Sequence, residues 1–480
     1  MRYQLGLPIL AAAMALACAA CAQPRTVATP EAVGLDSAEI AAVLETVHRK
    51  NIPLDSLYIE RDGRAVLDLY VYPYAPTLRH DVASVSKSVT ALTVGALFAQ
   101  RPDFGMDQVI APVGEIRMGD ALSMRTGLAC GDRPGEPELF AVMASPNWAE
   151  AAASLPRHSP PGAAFSYCSP AYLLASAFVT RATHASLASQ AQRLIFEPLG
   201  ITNWRWPADP QGHTRGWGDL DLLPGDLAKI GRMLLDHGAY EGRQVVPGKW
   251  ISKATTAQSD ASKADGYGYG FWLRKSVPGL IEGRGRGGQG VIAWPDQKLL
   301  IVMTASDTDD GQTLPLLAGL KPRSAPLPPN PASVARLTRA VEALAKPPAP
   351  QAPGMAGRFA RPLLGRPLLL ADTQWIRRLT LRQAGALGSL RIESPYYTFE
   401  VPLGFDGVPR LGEHGPEDGA VSGRATWIDP DHLVVEVRPY ALAQRVTLDI
   451  AFTTAGATIS AREASGLFAF HTTARPDLAK

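Results

Sequence analysis

Within Asp81-Val-Ala-Ser-Val-Ser-Lys-Ser-Val-Thr90, a hydroxyl and an ammonium stand three residues apart, at Ser84 and Lys87. Three residues make roughly one helical turn, so both side chains share a face of any helix that begins here. The run that follows, Val89-Thr-Ala-Leu-Thr-Val-Gly-Ala-Leu-Phe98, is apolar nearly all round, which is the pattern of a helix inside a core. Free N–H groups and the dipole at such an N-terminus favour negative charge developing on Ser84. A lysine beside it, partly desolvated, loses its proton well below its usual value near ~10.4 and becomes a base. A chain of this length carries about one such spacing by chance. A helix cap beside a solvated lysine is the plain alternative, so partners elsewhere must decide.

Two other stretches offer partners. Pro160–Ala175 is broken by proline and glycine, and then Tyr167-Cys-Ser169 leads into an apolar helix from Ala171. A phenol and a hydroxyl held on that turn face a cleft, although Ser169 also reads as the cap of the helix. Gly283-Arg-Gly-Arg-Gly-Gly-Gln-Gly290 lies between an aromatic strand, Tyr267–Leu273, and the apolar runs Val291–Pro295 and Leu299–Met303. Glycines at a strand edge let another backbone or a substrate approach closely. As a phosphate cradle the run lacks the strand-then-helix context. Arg284 and Arg286 read as solvated strand-edge charges rather than substrate ligands, the Arg286 backbone being able to act whatever its side chain does, and Trp217 and Asp219 read as cleft lining or plain loop. Asp226 reads as the cap of the helix Leu227–Gly238. None of the nine histidines has metal-ligand spacing, so neither metal nor cofactor is expected.

The elements that must position these residues fall into four segments. Residues 1–22 read as a cleaved export signal: Arg2 begins it, Leu5–Ala20 is apolar, and Ala20-Cys-Ala22 precedes Gln23. A lipid anchor at Cys18 or Cys21 is the rival reading, and neither cysteine has leucine three residues before it. The apolar run is short for a membrane span and no second one follows. Of the 480 residues 46% are hydrophobic, enough to fill more than one core. The formal charge is +2, and with no basic run a nucleic-acid partner is not expected. Residues 28–320 form a first domain, opened by a helix capped at Asp36 and a hairpin turning at Asp62-Gly63. Residues 321–354 are a proline-rich linker with one helix, Ser333–Leu344. From 355 to 480 short alternating strands such as His432–Arg438 and Arg445–Phe452 predict a small all-β barrel or sandwich that folds separately.

In chain order, Ser84/Lys87, Tyr167-x-Ser169 and the glycine-rich strand near 285 resemble the serine β-lactamase and penicillin-recognising family, in its class C, DD-peptidase and esterase branch. The 6-aminohexanoate-oligomer-hydrolase-like and esterase-like members are most similar. Leu122-Ser-Met-Arg-Thr-Gly-Leu128, Phe196-Glu-Pro-Leu-Gly200 and Gly287-Gly-Gln289 support the likeness, which spans roughly 30–310. The later β region resembles the lipocalin-like domains appended to some members. The resemblance implies an α/β (α+β) fold: an antiparallel sheet flanked by helices beside a helical lobe, with the site between them.

It further implies Ser84 as nucleophile, Lys87 as its base, and Tyr167 as proton shuttle to the leaving group. Ser169 stands where asparagine is usual, bonding the lysine, and the oxyanion hole would use the N–H of Ser84 and that of Arg286. The third motif has no Lys-Thr-Gly or His-x-Gly, which ranks esters and linear amides or peptides above β-lactams as substrates. An exported, periplasmic or secreted serine hydrolase is therefore expected. The alternatives are a penicillin-binding-type sensor acylated without turnover, and a DD-peptidase or β-lactamase. Cys130 and Cys168, the pair left after signal cleavage, are expected to form a disulfide, with two buried thiols as the other reading.

Overall fold

The computed structural model describes residues 28–111, 115–130, 136–306, 317 and 320–477. The expected export signal, 1–22, lies outside them. Among the described residues no helix is long and apolar enough to cross a membrane.

The first unit is built on an eight-stranded sheet. Its strands are β1 (Leu54–Arg61), β2 (Arg64–Tyr70), β3 (Ser259–Asp260), β4 (Asp265–Tyr267), β5 (Trp272–Arg274), β6 (Ile281–Gly285), β7 (Gln289–Trp294) and β8 (Leu299–Ala305). They pair antiparallel throughout, in the order β2-β1-β8-β7-β6-β5-β4-β3. The β1–β2 turn is the expected Asp62-Gly63 pair, with φ of 49° and 72° at its two residues. Positive φ at both central positions matches the right-handed twist of the flanking strands.

Alternating side chains divide the sheet between two cores. Leu57, Ile59, Leu67, Ile301 and Met303 meet Leu44, Val47, Leu337 and Leu344 on one face. These last four belong to α1 (Ser37–Arg49) and, far along the chain, a helix over Pro331–Ala345. The linker helix is therefore packed on α1, with Arg336 Nε 2.7 Å from Glu45 Oε1, rather than suspended between units. On the other face Val291, Ala293, Leu300 and Val302 meet α2 (Val85–Gln100), behind which α3 (Ser169–Thr183) packs in the same core, and α4 (Pro224–Leu235). We call the linker helix α5.

Two local expectations are corrected. The aromatic stretch Tyr267–Leu273 is split between β4 and β5 by a turn in which Gly270 has φ 79°. That turn presses on α2: a Cβ at Gly270 would lie 2.7 Å from the Lys87 carbonyl oxygen. Asp226 sits inside the first turn of α4, after the N-cap Leu223, and its carboxylate meets Lys229 Nζ at 2.7 Å. Pro224 takes the first helical position, where its missing N–H costs nothing, and so starts the helix earlier.

The second unit is a barrel of β9 (Leu368–Leu370), β10 (Arg378–Ala384), β11 (Leu387–Glu393), β12 (Thr398–Gly404), β13 (Arg410–Gly412), β14 (Val421–Asp429), β15 (His432–Pro439), β16 (Val446–Thr453), β17 (Gly456–Glu463) and β18 (Ala469–Pro476). The order is β12-β11-β10-β9-β18-β17-β16-β15-β14-β13, and β12 closes on β14 at Gly404 and Arg424. Nine strands thus form the closed wall, with β13 lying on β14 alone. Alternate residues fill it, including Leu379, Leu381, Leu390, Val401, Leu433, Val435, Leu448, Ile450 and Ile459.

The units touch through charges as well as apolar surface. Tyr440 and Ala420 of the barrel pack with Tyr74. Arg438 reaches Asp55 at 2.6 Å, and Arg205 pairs with Glu417.

Candidate active site

Every residue from His80 to Leu97 is buried except Ser84. The reason lies in how α2 begins. Asp81 pairs with Asp221 across a two-residue ladder, and its Oδ1 accepts the Ala83 N–H at 2.7 Å. Ala83 takes φ 46°, a left-handed conformation that costs an alanine roughly 1 kcal/mol and persists where neighbours hold it. The chain then turns into the helix with Ser84 as N-cap, and no capping bond uses its side chain. Its Oγ is turned instead to Lys87, whose Nζ lies 2.9 Å away.

Lys87 is 1% exposed. Its Nζ donates also to the Trp217 carbonyl at 2.8 Å and stands 4.9 Å from the Tyr167 ring centre and 5.9 Å from that of Tyr172. Burial lowers its pKa to about 8, against the opposing pull of Glu136 and Asp219. An amine so placed is a base within hydrogen-bond reach of a hydroxyl.

Tyr167 precedes α3 and stacks on Trp272, ring centres 5.9 Å apart. The wall continues through Phe165 and Tyr267, which meet Trp272 at 6.1 and 5.0 Å. Beneath it Cys130 and Cys168 are joined by a disulfide, Cα atoms 5.1 Å apart, as the sequence led us to expect. The Ser166 hydroxyl adds a bond to the Cys130 carbonyl at 2.7 Å. Both pin the Tyr167 turn to the 122–130 segment.

Ser169 is brought near this cluster without joining it. Its Oγ is buried with no hydrogen-bond partner among the described residues, so it neither bonds Lys87 nor caps α3. One hydroxyl is shorter than the amide expected at this position, and the Trp217 carbonyl accepts the lysine's hydrogen bond instead. The Gly216–Asp219 stretch carried that signal only as possible cleft lining.

Strand β6 runs directly against the start of α2. A Cβ at Gly285 would lie 2.5 Å from the Val82 carbonyl oxygen and 3.2 Å from Ala83 Cβ, so only glycine lets the two backbones approach. Arg286 follows at once, bringing its backbone beside the Ala83–Ser84 turn. Its guanidinium points away to the barrel, 3.0 Å from Ser465 Oγ, 3.3 Å from the Leu442 carbonyl and 3.6 Å from Glu463. Arg284 lies 5.2 Å over Trp272 and is paired with Asp265 at 2.9 Å and with Glu282. Neither arginine is the solvated strand-edge charge that its sequence suggests.

Asp81 and Asp221 form the acidic floor. Burial, then the charges of Asp219 and Asp221, hold the Asp81 carboxyl well above the usual range, and burial lifts Asp221 to about 7 against the pull of Arg205. A separate cavity of about 710 Å³, lined by Tyr58, Glu60, Arg64 and Arg232, lies away from Ser84. Its buried polar groups satisfy one another, Arg232 Nε meeting Glu60 at 2.7 Å.

The profile of the family described as Beta-lactamase matches residues 40–321, more than half of the chain. Among solved structures, the hydrolase EstCE1, described as having promiscuous acyltransferase activity, is 14% identical with a TM-score of 0.50, covering 64% of this chain and 99% of its own. A 6-aminohexanoate-dimer hydrolase candidate from Bacillus anthracis is 17% identical with a TM-score of 0.49, covering 62% and 79%. An octameric penicillin-binding protein homologue from Pyrococcus abyssi is 15% identical with a TM-score of 0.45, covering 91% and 99%. At these identities the likeness speaks for fold alone.

Proposed function

The chain belongs to the beta-lactamase family, and from that premise we propose that it is an exported serine hydrolase of esters or linear amides and peptides, acting through Ser84, Lys87 and Tyr167. The observation that carries this reading is the 2.9 Å contact of a buried amine, its pKa near 8, with the one accessible hydroxyl at the start of α2. Neutral Lys87 takes the Ser84 proton as Oγ attacks the substrate carbonyl. The oxyanion faces the N–H groups of Ser84 and Arg286. As the carbonyl re-forms, the bond to the leaving group breaks, Tyr167 hands that group its phenol proton and takes in its place the proton held by Lys87, leaving an acyl-Ser84 ester with Lys87 neutral again. Water then gives a proton to the same groups as it attacks that ester, and they return it to Ser84 Oγ as the acyl–oxygen bond breaks and the acid leaves.

Substrate class follows from the arginines. Both guanidinium groups of the β6 region are paired with protein carboxylates, Arg284 with Asp265 at 2.9 Å and Arg286 with Glu463 at 3.6 Å, so neither is poised for the carboxylate of a β-lactam. Uncharged acyl groups fit the aromatic wall of Phe165, Tyr167 and Trp272 better. The Cys130–Cys168 disulfide supports export to an oxidising compartment, and the mature chain is expected to begin at Gln23.

The test is a hydrolysis screen over p-nitrophenyl esters, aminohexanoate amides, D-Ala-D-Ala peptides and a cephalosporin, with Ser84→Ala alongside. Sustained turnover of an ester or linear amide, lost in Ser84→Ala, is the expected result. A single stoichiometric burst would instead identify an acylated sensor, and unchanged labelling of Ser84→Ala would remove the nucleophile assignment.

A further inference from the structure

The carboxylate of Asp55, on β1, is 0% exposed, and a buried charge of that kind needs a cation. Among the described residues the guanidinium bonded to it comes from the barrel: Arg438, on β15, donates to Oδ1 at 2.6 Å and to the Pro53 carbonyl at 3.2 Å. The other oxygen, Oδ2, meets Ser306 Oγ at 3.1 Å and His80 Nε2 at 3.2 Å. His80 is itself 0% exposed, and its Nδ1 lies 2.8 Å from the Asp81 carbonyl, to which it donates. Tyr74 of the first unit and Tyr440 of the barrel enclose the imidazole, with ring centres 5.6 and 6.0 Å away.

The chain of bonds therefore runs from the barrel to the residue whose side chain holds Ala83 in its left-handed turn. Asp81 is fixed at both ends, its carbonyl by His80 and its carboxyl by the Ala83 N–H. Ser84 follows directly. A nucleophile displaced by about 1 Å loses on the order of 100-fold in rate, so what fixes this turn governs acylation.

We propose that Arg438 is a positioning residue: acting through Asp55 and His80, the barrel sets the Asp81–Ser84 turn and so the reactivity of the nucleophile. The proposal rests on the reading of Ser84 as nucleophile. It gives the barrel a role in the reaction without any contact with substrate.

The experiment follows the rate of acylation by a fluorophosphonate on the full-length protein, with the adduct mapped by peptide mass spectrometry. Arg438→Met is expected to acylate Ser84 at least tenfold more slowly while still reaching one adduct per chain, and Arg438→Lys to recover part of the rate. Arg438→Met leaves Asp55 buried without a guanidinium, so the charge-free pair Asp55→Asn with Arg438→Met is measured as well. It should fold and acylate as slowly as Arg438→Met alone, because both changes cut one path. A purely structural role would lower the labelled fraction or the unfolding midpoint and leave the rate constant of the folded fraction unchanged. A wild-type rate constant at Ser84 in either folded variant overturns the proposal alone. An adduct mapped to another residue overturns the nucleophile reading and this proposal with it.

Discussion

The two ends of the cleft treat buried charge in opposite ways. At the start of α2, Lys87 is sealed with a hydroxyl and a carbonyl as its bonding partners, and burial lowers its pKa to about 8. On and just after β6, Arg284 and Arg286 are each set against carboxylates, Asp265 and Glu282 for one and Glu463 for the other. An amine without a carboxylate is reactive, whereas a guanidinium with one or two is structural. On the proposed reading, the first end is where the chemistry is done and the second is where shape is held.

Breaking the reactive end should have the largest effect. Lys87→Ala is expected to slow acylation of Ser84 at least about 100-fold, the usual cost of removing a general base. A loss of less than tenfold in stopped-flow labelling would move the base elsewhere.

The pH profile sharpens the same end. Only the neutral amine accepts the Ser84 proton, so acylation should rise about tenfold per pH unit in acid and level off above about 8. The sign for stability agrees in direction. The folded-state value lies below the unfolded one, so burying Lys87 costs stability in full below about pH 8, and that cost fades between about 8 and the unfolded value near ~10.4. A rate still rising tenfold per unit beyond about pH 9 would contradict the lowered pKa, and one flat from about pH 6 to about pH 9 would contradict a value near 8.

Between the two ends lies the disulfide, which ties the Tyr167 turn to the 122–130 segment. Cys130→Ser opens a loop with a sequence separation of 38 residues, and should lower stability by roughly 3–4 kcal/mol in the chain-entropy model. Mild reduction is expected to slow ester turnover before the far-ultraviolet circular dichroism changes. Simultaneous loss of both would mean that the bridge supports the fold as a whole and not the Tyr167 turn.

The smallest effect belongs to the structural end. Arg284→Ala leaves Glu282 with Arg274 at 2.8 Å, so the expected loss is about 1–3 kcal/mol by urea denaturation. The acylation rate with an uncharged ester should change less than tenfold. A rate loss matching that of Lys87→Ala would make Arg284 part of the machinery and erase the contrast.

Local patterns carried far in this chain. The apolar run after Thr90 predicted a buried helix because a side chain's face follows from its place in a 3.6-residue period. The Asp62-Gly63 turn and the alternating strands beyond 355 were legible for the same reason: turn chemistry and a period of two are properties of neighbouring residues. Ser84 and Lys87 needed only one turn of helix to meet. The order of the motifs along the chain was enough for the family resemblance.

What the sequence could not supply were contacts made between distant positions. Trp217 lies 130 residues beyond Lys87, and its carbonyl carries no side-chain signature, so its bond to the lysine emerges only when the loop folds over α2. Ser169 has the type of a hydrogen-bonding residue, yet its reach depends on a separation that spacing does not encode. Arg284 and Arg286 read as exposed because arginine usually is, and only the sheet and the barrel bring Asp265, Glu282 and Glu463 to them. Asp55 and Arg438 stand 383 residues apart and belong to units that look independent in sequence. Burial turned that pair from two ordinary surface residues into a necessity: a carboxylate removed from water requires its cation wherever the chain holds one.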